Sequence, residues 1–184
     1  MQRLYIFLFS ILLFINLFAH SSNKKDKYDE FMYWNADSKL SWSDFKGKPA
    51  TGTSEEAMTA SSVQYNYSIS GGKIQWQVYA KFYPNASWKS LKVYSDYLLQ
   101  HEQLHFDISE LYARMLRKQL TEKIKSPKDA LLLKKIGDSI INAWDIEQDA
   151  YDRETNHSMN EKSQAIWQAK IHERLAELQE FASP

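Results

Sequence analysis

"VQYNYSISGGKIQWQVYAKF", Val63 to Phe82, decides the fold. Val63, Tyr65, Tyr67 and Ile69 alternate with polar Gln64, Asn66 and Ser68. Beyond Gly71 and Gly72, Ile74, Trp76, Val78, Ala80 and Phe82 alternate with Gln75, Gln77, Tyr79 and Lys81. Successive side chains of a strand point to opposite faces, so each run gathers its apolar residues on one side. A Gly-Gly pair between two such runs is a hairpin turn signal. The stretch predicts an antiparallel hairpin with one buried face, closed by Pro84.

Downstream the period turns helical. Leu98, Leu99, Leu111, Met115 and Leu116 fit one apolar stripe, with Ser95 or Asp96 as cap and an end near Leu120. A second helix starts at "SPKD", with Ser126 as cap and Pro127 in the first position. It carries Leu132, Leu133, Ile136, Ile140, Ile141 and Trp144 and reaches about Tyr151. The polar "DRETNHSMNEKS" that follows reads as irregular. A third helix, from about Glu161 to Phe181, packs Ile166, Trp167, Ile171, Leu175 and Leu178. Upstream lie a short strand near Phe31 to Trp34, a loop ending in Gly47 and Pro49, and a small, polar loop over 50–56. Strands come first and helices after, which is the pattern of an α+β domain.

The chain has 184 residues, enough for one domain, expected over 31–184 after a polar linker at 21–30. Residues 1–20 read as a signal peptide or N-terminal anchor. Arg3 precedes an apolar run from Leu4 to Phe18, too short to span a bilayer comfortably, with Ala19 at its end. The domain is then exported, periplasmic or extracellular, and meets a membrane only through that segment if it is retained. Lys+Arg and Asp+Glu both total 23, so no basic excess points to nucleic acid. There is no cysteine, so no disulfide forms, and a metal can be held only by His, Asp or Glu.

"HEQLH", His101 to His105, is the motif with chemistry in it. On a helix its two histidines stand one turn apart, about 6 Å along the axis, and face the same way. Two imidazoles so placed can share one zinc ion. Glu102, beside them, can take a proton from a water that the zinc activates. A catalytic zinc needs a third protein ligand and an open position. His157, in the polar connection after the second helix, is the first choice, and Asp152 the runner-up. His20 lies at the signal junction, and His172 falls on the solvent face of the third helix.

Three stretches in order carry a resemblance: Leu40, Trp42, Asp44, Phe45 and Gly47; then His101, Glu102, His105, Phe106 and Asp107; then Tyr151, Asp152, Thr155 and His157, with Gln164 and Trp167 beyond. Together they resemble the DUF922 family of secreted bacterial proteins, whose pattern is L-x-W-x-D-F-x-G, H-E-x-x-H-F-D, Y-D-x-x-T-x-H-G and Q-x-x-W. The likeness spans essentially the whole chain after the signal. It implies a zincin-like fold and a zinc-dependent protease with peptide or protein substrates. Two positions depart from the pattern: Ser158 replaces the usual Gly after His157, and Leu104 stands where Gly is common.

The expectation is thus a secreted zinc metallopeptidase with Zn2+ on His101, His105 and His157 and Glu102 as general base. The rival is a non-catalytic secreted module that binds a metal or a partner, an inactive zincin. Tyr151 is a candidate donor to an oxyanion, or a packed aromatic. Asp107 or Glu110 could orient a ligand imidazole. Asp44 reads as a turn cap, and Trp42, Trp76, Trp144 and Trp167 as core. The hairpin's edge strand offers an extended peptide a main-chain partner.

Overall fold

The computed structural model describes residues 26–37, 39–49, 51–90 and 95–183. The expected signal or anchor over 1–20, and the linker as far as residue 25, lie outside the described residues.

The hairpin forms as expected. Strands β3 (Ser61–Ser70) and β4 (Lys73–Phe82) pair antiparallel, with Val63 opposite Ala80, Tyr67 opposite Trp76 and Ile69 opposite Ile74. Gly71 and Gly72 turn the chain with φ of 57° and 73°, the positive angles of a type I′ turn. A short strand, β1 (Met32–Tyr33), adds to the other side of β4, giving the order β1-β4-β3. A second pairing joins β2 (Ala57–Met58) to β5 (Trp88–Lys89), two strands that periodicity did not signal.

The hairpin's apolar face is buried only at its base. Val63, Val78, Ala80 and Phe82 are buried and Ile74 and Trp76 pack partly, but Tyr67 and Ile69 are 42% and 51% exposed. β3 is the outer strand, and its far end runs past the cover that the helices give the base.

Three helices follow: α1 (Asp96–Lys123), α2 (Ala130–Thr155) and α3 (Glu161–Glu177). Ser95 caps α1 by accepting from the Leu98 N–H at 3.0 Å. Ser126 and Asp129 form a capping box over a 3-10 turn that leads into α2. Asn160 caps α3 through the Ser163 N–H. A 3-10 turn, Gln179–Phe181, replaces the last turn expected of α3.

The single apolar stripe predicted for α1 is corrected by its surroundings. The hairpin, α2 and α3 all pack on this helix, so it is buried on most sides, Leu104, Phe106, Ile108, Leu111, Ala113, Leu116 and Leu120 included. Even charged residues are enclosed. Glu110 pairs with Arg114 and Arg117, each at 3.0 Å, and the two guanidinium groups donate onward to the carbonyls of Leu175, Phe181 and Val78. Burial of a charge is tolerated only when it is paired and hydrogen-bonded, as here. On α2 and α3, Leu133, Ile136, Ile140, Trp167, Ile171 and Leu175 are buried as expected, whereas Leu132 and Ile166 are exposed.

The first motif braces the back of α1. The Leu40 N–H donates to Gln103, and Gln103 and the Trp34 indole both donate to buried Asp107. Asp44 caps its own turn, accepting from the Ser41 N–H at 2.7 Å.

Candidate metal centre

His101 and His105 stand one turn apart on α1, and their rings meet edge to face with centroids 4.9 Å apart. Their Nε2 atoms are 3.3 Å from each other. Both reach one oxygen of Asp152 on α2: His101 Nε2 at 3.1 Å and His105 Nε2 at 3.0 Å. Among the described residues these three form a group that could hold a metal ion, with all donor atoms within 4.8 Å.

The structure brings the runner-up, Asp152, to the two histidines. α2 runs one turn beyond the predicted end at Tyr151, and that turn carries Asp152 on the face that meets α1. His157, the first choice, stands one step outside. Its Nδ1 is 3.8 Å from the same Asp152 oxygen and its side chain is 54% exposed. It sits in a run of three left-handed residues, Asn156, His157 and Ser158, with φ of 49°, 50° and 71°. This run caps α2: the His157 N–H donates to the Asp152 carbonyl at 3.0 Å and the Asn160 N–H to that of Thr155 at 2.7 Å.

Tyr151 is packed behind the imidazoles. It is fully buried, its ring stacks on His101 at 4.6 Å, and its hydroxyl donates to the His101 carbonyl at 3.4 Å. The oxyanion role raised for it has no exposed hydroxyl to work with. Burial, followed by the charges of Glu102 and Asp152, pushes its pKa up, so the hydroxyl keeps its proton. On the far side Tyr151 rests on Trp167 at 5.4 Å, and Gln164 donates to the Tyr97 carbonyl at 3.2 Å. The Q-x-x-W residues thus tie α3 to the face of α1 and α2 that carries His101 and Tyr151.

Glu102 is buried beside the two histidines, and its Oε2 has no hydrogen-bond partner among the described residues. Burial pushes its pKa up against the pull of His105 and His101. The Thr59 hydroxyl, just after β2, donates to the Glu102 carbonyl at 3.1 Å. Burial opposes ionisation of Asp152, but hydrogen bonds from His101 and His105 outweigh it and hold the carboxyl well below the usual range. For His105 burial favours the neutral ring, and Asp152 overrides this to raise its pKa to about 9.

The other two second-layer candidates act elsewhere. Asp107 serves Trp34 and Gln103, and Glu110 serves two arginines; neither touches His101 or His105. The residue that does is Gln148, whose Oε1 is 2.6 Å from His105 Nδ1. Sequence reasoning passed over it, although it lies four residues before Asp152 and so shares its helix face.

These observations fit a metal ion. Two imidazole nitrogens and a carboxylate oxygen converge within hydrogen-bond distance, a donor set that takes a divalent cation. Beside them lies the buried Glu102 carboxyl, whose Oε2 has no hydrogen-bond partner among the described residues. The profile of one family, described as "Bacterial protein of unknown function (DUF922)", matches residues 35–158, and the chain belongs to that family. No curated protein and no solved structure matches it.

Proposed function

We propose that this DUF922 protein is an exported zinc-dependent metallopeptidase with His101, His105 and Asp152 as metal ligands and Glu102 as general base. The observation that carries the reading is the meeting of two Nε2 atoms and Asp152 Oδ1 beside buried Glu102, whose Oε2 has no hydrogen-bond partner among the described residues. Bound there, zinc would act as a Lewis acid on a peptide carbonyl and make a water nucleophilic near neutral pH. The chain's own groups do the rest. Glu102, whose pKa burial raises, accepts a proton from the attacking water and returns it to the leaving amine. Tyr151 keeps the His101 ring in place by stacking. β3 begins two residues after Thr59, beside Glu102, and its outer edge pairs with no strand among the described residues. That edge can take an extended peptide through main-chain hydrogen bonds, which suits a substrate chosen by its backbone. Export rests on the apolar N-terminal run.

Metal analysis of the purified full chain, with hydrolysis of a quenched casein or peptide substrate, tests the reading. Wild type is expected to hold one zinc per chain. Glu102→Gln is expected to keep the zinc and lose about 10²–10⁴ in rate. Iron in place of zinc would redirect the chemistry, because two His and one carboxylate also serve Fe(II). Zinc without turnover on any peptide would leave the non-catalytic module.

A further inference from the structure

We propose that Gln148 is the positioning residue that fixes His105 for metal binding, holding the imidazole as its Nδ1–H tautomer so that Nε2 faces Asp152; this rests on the metal reading above.

α2 grips one imidazole at both nitrogens. Gln148 and Asp152 are four residues apart and so face the same way. Gln148 Oε1 lies 2.6 Å from Nδ1 and Asp152 Oδ1 lies 3.0 Å from Nε2. No other side chain among the described residues bonds Nδ1 of either ligand histidine, since His101 Nδ1 is buried without a partner.

The direction of the amide is dictated by its neighbours. Gln148 Nε2 lies 2.9 Å from the His105 backbone carbonyl, which can only accept. It also lies 3.3 Å from the Ser109 hydroxyl oxygen. That oxygen already accepts from the Trp144 indole at 3.0 Å. A flipped amide would set oxygen against the carbonyl oxygen, so Oε1 must point at His105. An amide oxygen only accepts, hence Nδ1 carries the hydrogen and the lone pair of the neutral ring is on Nε2. One side chain thereby holds both the ring and the backbone of His105.

The partner is also neutral. A carboxylate at this position would be a stronger acceptor and would make the ligand more basic. Gln148 orients without adding charge, and Asp152 supplies the only anionic donor of the three.

The test is a chelator-competition measurement of zinc affinity on the full chain, together with histidine 15N shifts of the zinc-loaded protein. Gln148→Leu is expected to weaken zinc binding by about 10–100-fold, the usual cost of losing such a support. Gln148→Glu, which keeps an acceptor for Nδ1–H, is expected to recover most of that loss. In the unmutated protein, His105 should show a protonated Nδ1 and a metal-bound Nε2, a readout that stands even if Gln148→Leu does not fold. Unchanged affinity in Gln148→Leu, or a metal-bound Nδ1 on His105, overturns the role of Gln148 and leaves the zinc site intact. Failure of the wild type to bind zinc overturns both readings together.

Discussion

At the scale of single residues, the departure at Ser158 has a physical meaning. Its φ is 71°, in the left-handed region where a Cβ meets the backbone. Glycine goes there freely, which explains why the family pattern favours Gly after His157. A serine there, third in a run of left-handed residues, stores strain close to Asp152 and the end of α2. Ser158→Gly should therefore stabilise the protein, by about 1 kcal/mol after the entropy that glycine costs. Urea unfolding checks it through a higher midpoint at unchanged slope. A lower midpoint would mean that the Ser158 side chain contributes more than the strain it carries. Asp152 and His157 are the neighbouring lesson. Both were legible as polar residues near a helix end, but one extra helical turn decided which carboxylate or imidazole reached the histidines. Helix ends are set by local capping, and α2 ends only where left-handed Asn156 and His157 can satisfy its last carbonyls.

At the scale of elements, Gly47 shows how a motif outside the site supports it. Its N–H donates to the Ser87 carbonyl at 2.7 Å, and a Cβ built there would lie 2.7 Å from that oxygen and 2.9 Å from the Asn85 carbonyl oxygen. Both obstacles are backbone, so neither can turn aside. Gly47→Ala should cost about 1–3 kcal/mol as the two segments are forced apart, read as a lower melting temperature. Unchanged melting would show that the 45–49 segment moves away freely. The hairpin, the Gly-Gly turn and all three helices were legible because their periods and caps are local. The short strands β2 and β5 were not, since two residues carry no period and their pairing is made by the fold. Nor was the near-complete burial of α1: Glu110, Arg114 and Arg117 are enclosed because α3, the 3-10 turn after it and β4 provide carbonyls to the two arginines, and no local period signals those partners. Gln148 escaped for the same reason, because its partner His105 lies on another helix.

At the scale of the whole molecule, the candidate metal centre is a joint between α1 and α2, and α3 holds that joint closed. One polar cluster ties all three helices on the outer side. Glu147 of α2 accepts from Tyr112 of α1 at 2.5 Å and from Arg174 and Lys170 of α3 at 2.6 and 3.1 Å. It borders a groove of about 470 Å³ that Ile146, Ile166 and Trp167 also line. Burial alone would raise the Glu147 pKa, but the Tyr112 hydroxyl and the Arg174 guanidinium outweigh it and lower the value below 4.5. A carboxyl that ionises more easily in the folded chain than in the unfolded one binds fewer protons when folded. Its contribution is therefore fully present above the unfolded value and is lost as pH falls through the folded one. The protein should lose stability on acidification below about pH 4.5, and Glu147→Gln should flatten that slope while lowering stability at pH 7. Urea midpoints measured from pH 7 to pH 3 on both proteins check this. Parallel curves would assign the acid loss to Asp107 or Asp152, whose carboxyls are also held below their ordinary range, and would leave Glu147 without a part in holding the joint.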